Sequence, residues 1–359
     1  MPTSFQDSRD KLLQHFLDFL WRQWTALGVP GHEVPSGDWI IDPEALVLIT
    51  TRMGRYDSRL LDNAIEWLSA NGRRINLQRL KRLRPQWPTA DPGVFGAISE
   101  ILSEQSALRK WNTLRDTHYL LPEEPEPLFI HPDGSPLPVL GDLDERFQKY
   151  GLLRTKWTPR GTAQTPLPNE ACNLILALRS LFGVNARAEI LAWLLTHESG
   201  HPGAIARDTA YFPKTIQLTL NEMEESGCLH SIRQGREKRF RIQKEGWQHV
   251  LSGMNALRFP RSINWSPVYY FISRTLDLLK DDGDPASSHL RAIQQRGFLD
   301  EVGPALDRSG LQSEFAAHKK LTGDQLTQAI EKDVSTVINL LQTDFVSSAP
   351  PQSLPTFML

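Results

Sequence analysis

The sequence predicts a mainly α fold with a small amount of β: helical regions toward both ends and a unit of helices plus one hairpin between them. Three observations carry this. Apolar residues recur at three- and four-residue steps through most of the chain. Nine of the 25 prolines crowd into residues 121–168, which excludes regular helix over most of that stretch. Leu229 and Ile232, then Phe240 and Ile242, frame Arg233-Gln234-Gly235-Arg236 in the manner of two short strands around a turn.

Taken in order, residues 8–27 form an amphipathic helix through Leu12, Leu13, Phe16, Leu17, Leu20 and Trp24, stopped by Gly28 and Pro30. Asp42-Pro43-Glu44 starts the next helix, with Pro in the first turn and an acid near the positive end of the dipole. Helices follow over 45–53, over 58–70 (closed by Asn71-Gly72), over 75–83 and within 93–115. Residues 1–120 thus read as a helical N-terminal domain. Residues 121–168 read as a proline-rich connector, with His131-Pro132-Asp133-Gly134 as a small hairpin turn. Helical periodicity resumes over 169–252, read as one domain of helices and a hairpin. It resumes again over roughly 262–343 with a break at 281–288, so that 253–345 reads as a helical C-terminal domain. Residues 346–359, with three prolines, read as a disordered tail.

Composition narrows the function classes. The chain has 359 residues, room for two or three domains, and a net charge of −2, which excludes a uniformly basic coat. Two cysteines, Cys172 and Cys228, cannot staple a secreted scaffold and offer no zinc cluster. No apolar run reaches the roughly 18–20 residues that span a bilayer. Asp7, Arg9, Asp10, Lys11 and Asp18 interrupt the stretch where a signal peptide needs an apolar core, so a cytoplasmic location is expected. No glycine-rich phosphate loop or G-x-S-x-G elbow occurs. The expectation is therefore a non-enzyme without a cofactor.

Residues 185–242 carry the functional argument. The spacing predicts helices over 185–196, 202–210 and 213–226. Asn185 caps the first, Pro202 and Pro213 open the other two, and Gly227 closes the third. On the third helix, Ile216, Leu220 and Met223 form one buried stripe. Lys214, Gln217, Leu218 and Asn221 point away from it, with Thr215 and Glu222 on its flanks. Amides, a cation and an apolar group are the side chains that read adenine, guanine or phosphate, and the thymine methyl. A solvated helix face would carry similar residues. The hairpin weighs against that reading: residues 229–244 hold Arg233, Arg236, Lys238, Arg239, Arg241 and Lys244 against Glu237 alone, a local +5.

The run AIARDTAYFPKTIQLTLNEMEESGCL followed by GREKRFRI resembles the winged helix-turn-helix of bacterial transcription regulators in the style of the ArsR and MarR families. The resemblance covers about 70–80 residues, and the helical flanks are longer than in minimal members. It implies that helix 213–226 enters a major groove through Lys214, Thr215, Gln217, Leu218 and Asn221. A wing bearing Arg233, Arg236, Lys238, Arg239 and Arg241 would then touch backbone or minor groove. Arsenic-sensing cysteine pairs are missing. Double-stranded DNA is the expected partner and a homodimer the expected state. Its interface is placed in 262–343, through Trp265, Val268, Phe271, Ile272, Leu276 and Leu279, in a region whose charge over 271–345 is −4.

Competing readings come from other residues. His197-Glu198-Ser199-Gly200-His201 fits H-E-x-x-H, the zinc peptidase signature, although Gly200 and Pro202 weaken a helix there. Residues 52–84 carry a net +6, read mainly as the solvated side of packed helices. Most of the ten tryptophans, Trp21, Trp24, Trp67 and Trp193 among them, read as core. An antitoxin-like or other protein-binding winged helix also remains open.

Overall fold

The computed structural model describes residues 5–31, 39–115, 120–166, 170–251, 259–280, 288–309, 311, 321 and 323–345. It is mainly helical, 63% helix with few strands. Among the described residues no helix is long and apolar enough to cross a membrane.

The N-terminal helices are α1 (Phe5–Ala26), α2 (Pro43–Met53), α3 (Ser58–Asn71), α4 (Leu77–Gln86) and α5 (Pro92–Ser103). Their starts follow from side-chain caps. Asp42, Asp57, Asn76 and Asp91 each accept a backbone N–H of the helix they precede, which satisfies donors the helix itself cannot. Beyond α5, residues 106–114 tighten into a 3-10 helix instead of continuing as α. Two tryptophans anchor the core. Trp24 donates to Thr50 Oγ1 at 2.9 Å and Trp67 to the Leu27 carbonyl at 2.5 Å, their rings meeting edge-on at 5.5 Å.

The proline-rich stretch is a strap laid on these helices. Its strands β1 (Glu126–Pro127) and β2 (Leu152–Leu153) pair in parallel, and α6 (Glu145–Gln148) lies between them in sequence. The turn at Gly134 brings Ile130 opposite Pro136. With few ladder bonds of its own, the strap is held by side chains: Arg154 pairs with Asp62 at 2.7 Å, and Arg55 with Glu126 at 2.6 Å. Leu128, Phe147 and Leu152 are buried beneath it.

The second half holds α7 (Leu174–Phe182), α8 (Ala186–Thr196), α9 (Pro202–Thr209), α10 (Pro213–Glu225), the strands β3 (His230–Gln234) and β4 (Glu237–Arg241), and α11 (Lys244–Val250). Helices α12 (Trp265–Lys280), α13 (Ser288–Ser309) and α14 (Gly323–Gln342) complete it. The last three return to the N-terminal helices, with α12 and α14 both packing on α1. Tyr269 donates to Gln23 Oε1 at 2.7 Å, and Arg22 pairs with Asp344 at 2.7 Å. This corrects the expected dimer surface. Trp265, Val268, Phe271, Ile272, Leu276 and Leu279 are all buried inside this chain, where apolar area is already withdrawn from water and none is left to offer a second copy. Most of the expected break at 281–288 and all of the tail at 346–359 lie outside the described residues.

Candidate nucleic-acid interface

Helix α8 starts on Asn185, whose side chain accepts from the Arg187 and Ala188 amides. It ends at Thr196, because His197 already has extended backbone. His201 then caps α9 by accepting the Gly203 amide. The two histidines of the H-E-x-x-H pattern therefore sit on separate elements rather than one turn apart on a single helix, and a zincin geometry does not form. Among the described residues no group of three or more potential ligands gathers for a metal. His197 instead stacks on Trp193 at 3.8 Å. Burial pushes its pKa below the usual imidazole value, against the opposing pull of the Trp193 carbonyl.

The residues between those histidines have a structural role that the sequence did not reveal. Gly200 and Phe240 exchange two backbone hydrogen bonds, both 2.8 Å, which ties the α8–α9 loop to β4 as a third extended segment. A side chain at 200 is excluded: a Cβ there would lie 2.4 Å from the Trp193 ring.

Helix α10 packs on α8 and α9 and buries Ile216, Leu220 and Met223, with Thr219 joining the buried stripe. Lys214, Thr215 and Leu218 are exposed, Leu218 by 53%. Gln217 and Asn221 are half-buried and bonded to each other at 3.1 Å. Charge along the helix is uneven: Lys214 lies at the N-terminal end and the acids begin at Glu222. The positive end of the helix dipole and the lone cation thus share one end.

The hairpin turns on Gly235 and Arg236. Positive φ occurs at Gly235 (63°) and not at Arg236, the pattern of a II′ turn. Its cations divide into two sets. Lys238 pairs with Glu224, which also accepts the Ser231 hydroxyl, and so fastens the hairpin to the end of α10. Arg239 donates to Ser199 Oγ at 3.1 Å and to the Ser199 carbonyl at 2.9 Å, which turns it back toward the α8–α9 loop. Arg233, Arg236 and Arg241 are exposed and have no partner among the described residues.

The α9–α10 turn is gripped from below by α4, part of the basic run expected to face solvent. Ala210 closes α9 in left-handed conformation (φ 55°), and Arg82 donates to its carbonyl at 2.8 Å. The Arg82 guanidinium lies 4.0 Å from the centre of the Phe212 ring. Asn76 reaches the Tyr211 hydroxyl at 2.7 Å, and Arg79 the Thr209 carbonyl at 3.2 Å. Arg79 is buried, not solvated, in a network with Asp42, Glu44, Arg179 and Glu189. Glu44, read from the sequence as a helix-start acid, is fully buried and bonds both arginines. Burial alone would raise the Asp42 pKa, but the Arg79 charge and hydrogen bonds outweigh it and hold the carboxyl below its usual range. Glu189 goes the other way: burial, helped by the nearby Glu44 charge, raises it despite Arg179.

Comparison with family models, with curated proteins and with solved structures gives no match for the chain.

Proposed function

We propose that residues 185–242 are a winged helix-turn-helix and that the protein binds duplex DNA through it as a sequence-specific transcription regulator. The observation that carries this reading is a polar helix face and a set of unpaired hairpin arginines in the same unit. The acid-free half of α10 carries Lys214, Thr215, Gln217, Leu218 and Asn221. The hairpin fastened to the other end of that helix through Glu224 carries Arg233, Arg236 and Arg241, which have no partner among the described residues.

In this mechanism the N-terminal half of α10 enters the major groove. The Gln217 and Asn221 amides address base edges and Leu218 a thymine methyl. The three free arginines displace counterions from phosphates and set register. Lys238 and Arg239 act indirectly, by fixing the hairpin against α10 and the α8–α9 loop. One chain covers about one half-site, so a palindromic operator calls for two copies. No covalent step is involved, and the protein works in the cytoplasm with its DNA.

The test is selection from a random duplex library, followed by titration of the enriched site at several salt concentrations. Replacing Arg233, Arg236 and Arg241 together by Ala should lower the salt slope by about 2–3 units, at roughly 0.9 per phosphate contact. Gln217→Ala should cost about 1–3 kcal/mol on the selected site and little on random duplex. Failure to enrich any duplex, or an unchanged slope, overturns the reading, and co-purification of a protein partner in its place would favour an interaction module.

A further inference from the structure

A cavity of about 230 Å³ lies between α8, α9 and the segment 262–264, with the end of α13 at its edge. Ile40, Ile175, Trp193 and Ile263 give it aliphatic and aromatic walls, and Glu189 lies in its lining. This space is separate from the exposed face of α10 and the hairpin.

The charges beneath it do not balance. Two arginines, Arg79 and Arg179, are shared by three carboxylates, Asp42, Glu44 and Glu189. Both oxygens of Asp42 and both of Glu44 are occupied by Arg79, Arg179 and the Ala45 and Asn76 amides. Glu189 differs. Its Oε1 takes both of its bonds from Arg179, at 2.9 and 2.6 Å, and its Oε2 has no hydrogen-bond partner among the described residues. That side chain is only 7% exposed. Glu189 lines the cavity, so its free oxygen is open to a ligand there, and a cation brought to it would complete the hydrogen bonding of the carboxylate.

Arg79 and Arg179 also line the cavity, but their N–H groups are already bonded to these carboxylates and to the Thr209 and Arg74 carbonyls. The remaining polar groups of the lining do not supply that cation. His197 has Nδ1 2.7 Å from the Trp193 carbonyl, which makes Nδ1 the protonated nitrogen of the neutral ring and leaves Nε2 as an acceptor. Asp208 adds a further carboxylate, which accepts from Trp193 Nε1 at 3.1 Å and pairs with Arg207. Arg308 is a lining cation but an exposed one, set against the Trp87 ring at 5.7 Å. It offers a place for an anion at the edge.

We infer that the cavity binds a small aliphatic molecule through a primary ammonium group seated on Glu189 Oε2, with its hydrocarbon part against the isoleucines and Trp193. An alkylamine meets this description, and so does an aliphatic amino acid whose carboxylate turns to Arg308.

The experiment is calorimetric titration of the full chain with three probes of one skeleton: isoamylamine, leucine and isovalerate. The amine should bind and isovalerate should not. Leucine binding more tightly than the amine assigns Arg308 to the carboxylate, and the amine binding more tightly assigns a simple amine site. Glu189→Gln keeps an oxygen for Arg179 and should weaken the amine by roughly tenfold or more, the usual scale for a hydrogen bond to a charged group. Ala192→Leu fills the same space without touching a charge and should weaken it as well. Isovalerate binding as well as the amine, no binding of either ammonium compound, or equal amine affinity in wild type and both variants overturns the inference. None of these outcomes depends on DNA, so this site and the duplex-binding reading can fail separately.

Discussion

Five charged side chains lie under the α9–α10 turn and five cations on the hairpin, yet the two groups behave as opposites. Asp42, Glu44, Arg79, Arg179 and Glu189 are removed from water and bonded to one another. Arg233, Arg236, Lys238, Arg239 and Arg241 are wholly or partly in water, and three of the five have no partner among the described residues. The same residue type therefore does different work. A buried arginine positions backbone, as Arg79 does at the Thr209 carbonyl, and a free one is available to a ligand. A positive run in a sequence does not tell these apart, because its meaning depends on acids that are distant along the chain.

The sharpest way to break the contrast is Glu44→Gln. Glu44 accepts from the Asn76 amide at 2.7 Å, Arg79 at 2.8 Å, and Arg179 at 2.7 and 2.9 Å. An amide in its place turns one acceptor into a donor that faces arginine N–H groups. Removing one partner from a buried ionic network costs about 3–5 kcal/mol, which a urea melt would show as a much lower midpoint. The three-arginine hairpin variant should leave that midpoint within about 0.5 kcal/mol of wild type, as is usual for surface positions. A loss below about 1 kcal/mol in Glu44→Gln would mean that water reaches the network and that the two regions differ less than their burial indicates.

This division explains which parts could be read ahead of the structure. The helices of 185–226 were legible because caps, prolines and the Ile216–Leu220–Met223 stripe are local signals that agree with one another. The hairpin was legible for the same reason, since Gly235 fixes its turn. Illegible were features that join distant segments. Nothing near Glu44 announces Arg179, and nothing near Asn76 announces Tyr211. The return of α12 and α14 onto α1 was missed because an apolar helix face looks alike whether its partner is its own chain or a second copy. The pairing of Gly200 with Phe240 was hidden too: Gly200 is legible as a residue that weakens a helix, but its partner lies far along the chain.

That pairing gives a second, smaller test, at the seam between the two regions. Gly200→Ala puts a methyl group 2.4 Å from the Trp193 ring and 2.9 Å from Ile205 Cδ1. The ring cannot retreat freely, since it stacks on His197 and donates to Asp208. Overpacking of this kind costs about 1–3 kcal/mol. Amide hydrogen exchange should localise the damage. The Phe240 amide, which donates to the Gly200 carbonyl, should lose protection, while the amides of α1 keep theirs. Protection at Phe240 that survives the substitution would show the loop and the hairpin to be independent, and Arg239 alone would then hold them together.

The smallest effect is expected where α4 grips the turn. Ala210 is held at φ 55°, a conformation that costs an L-residue roughly 1–2 kcal/mol and that glycine adopts freely. Ala210→Gly removes that cost but gives back about 0.4–1 kcal/mol through a more flexible unfolded chain. It also gives back about 0.8 kcal/mol for the buried methyl. These contributions nearly cancel, so the stability read from a urea melt should move by no more than about 0.8 kcal/mol in either direction. The Arg82 bond to the carbonyl of residue 210 does not involve the side chain and should persist. A gain well above that range would mean that the turn is strained into place by the buried network, with Arg79 and Arg82 holding α10 against a real restoring force. A shift within it would mean that the turn rests there and that the network serves stability without tension.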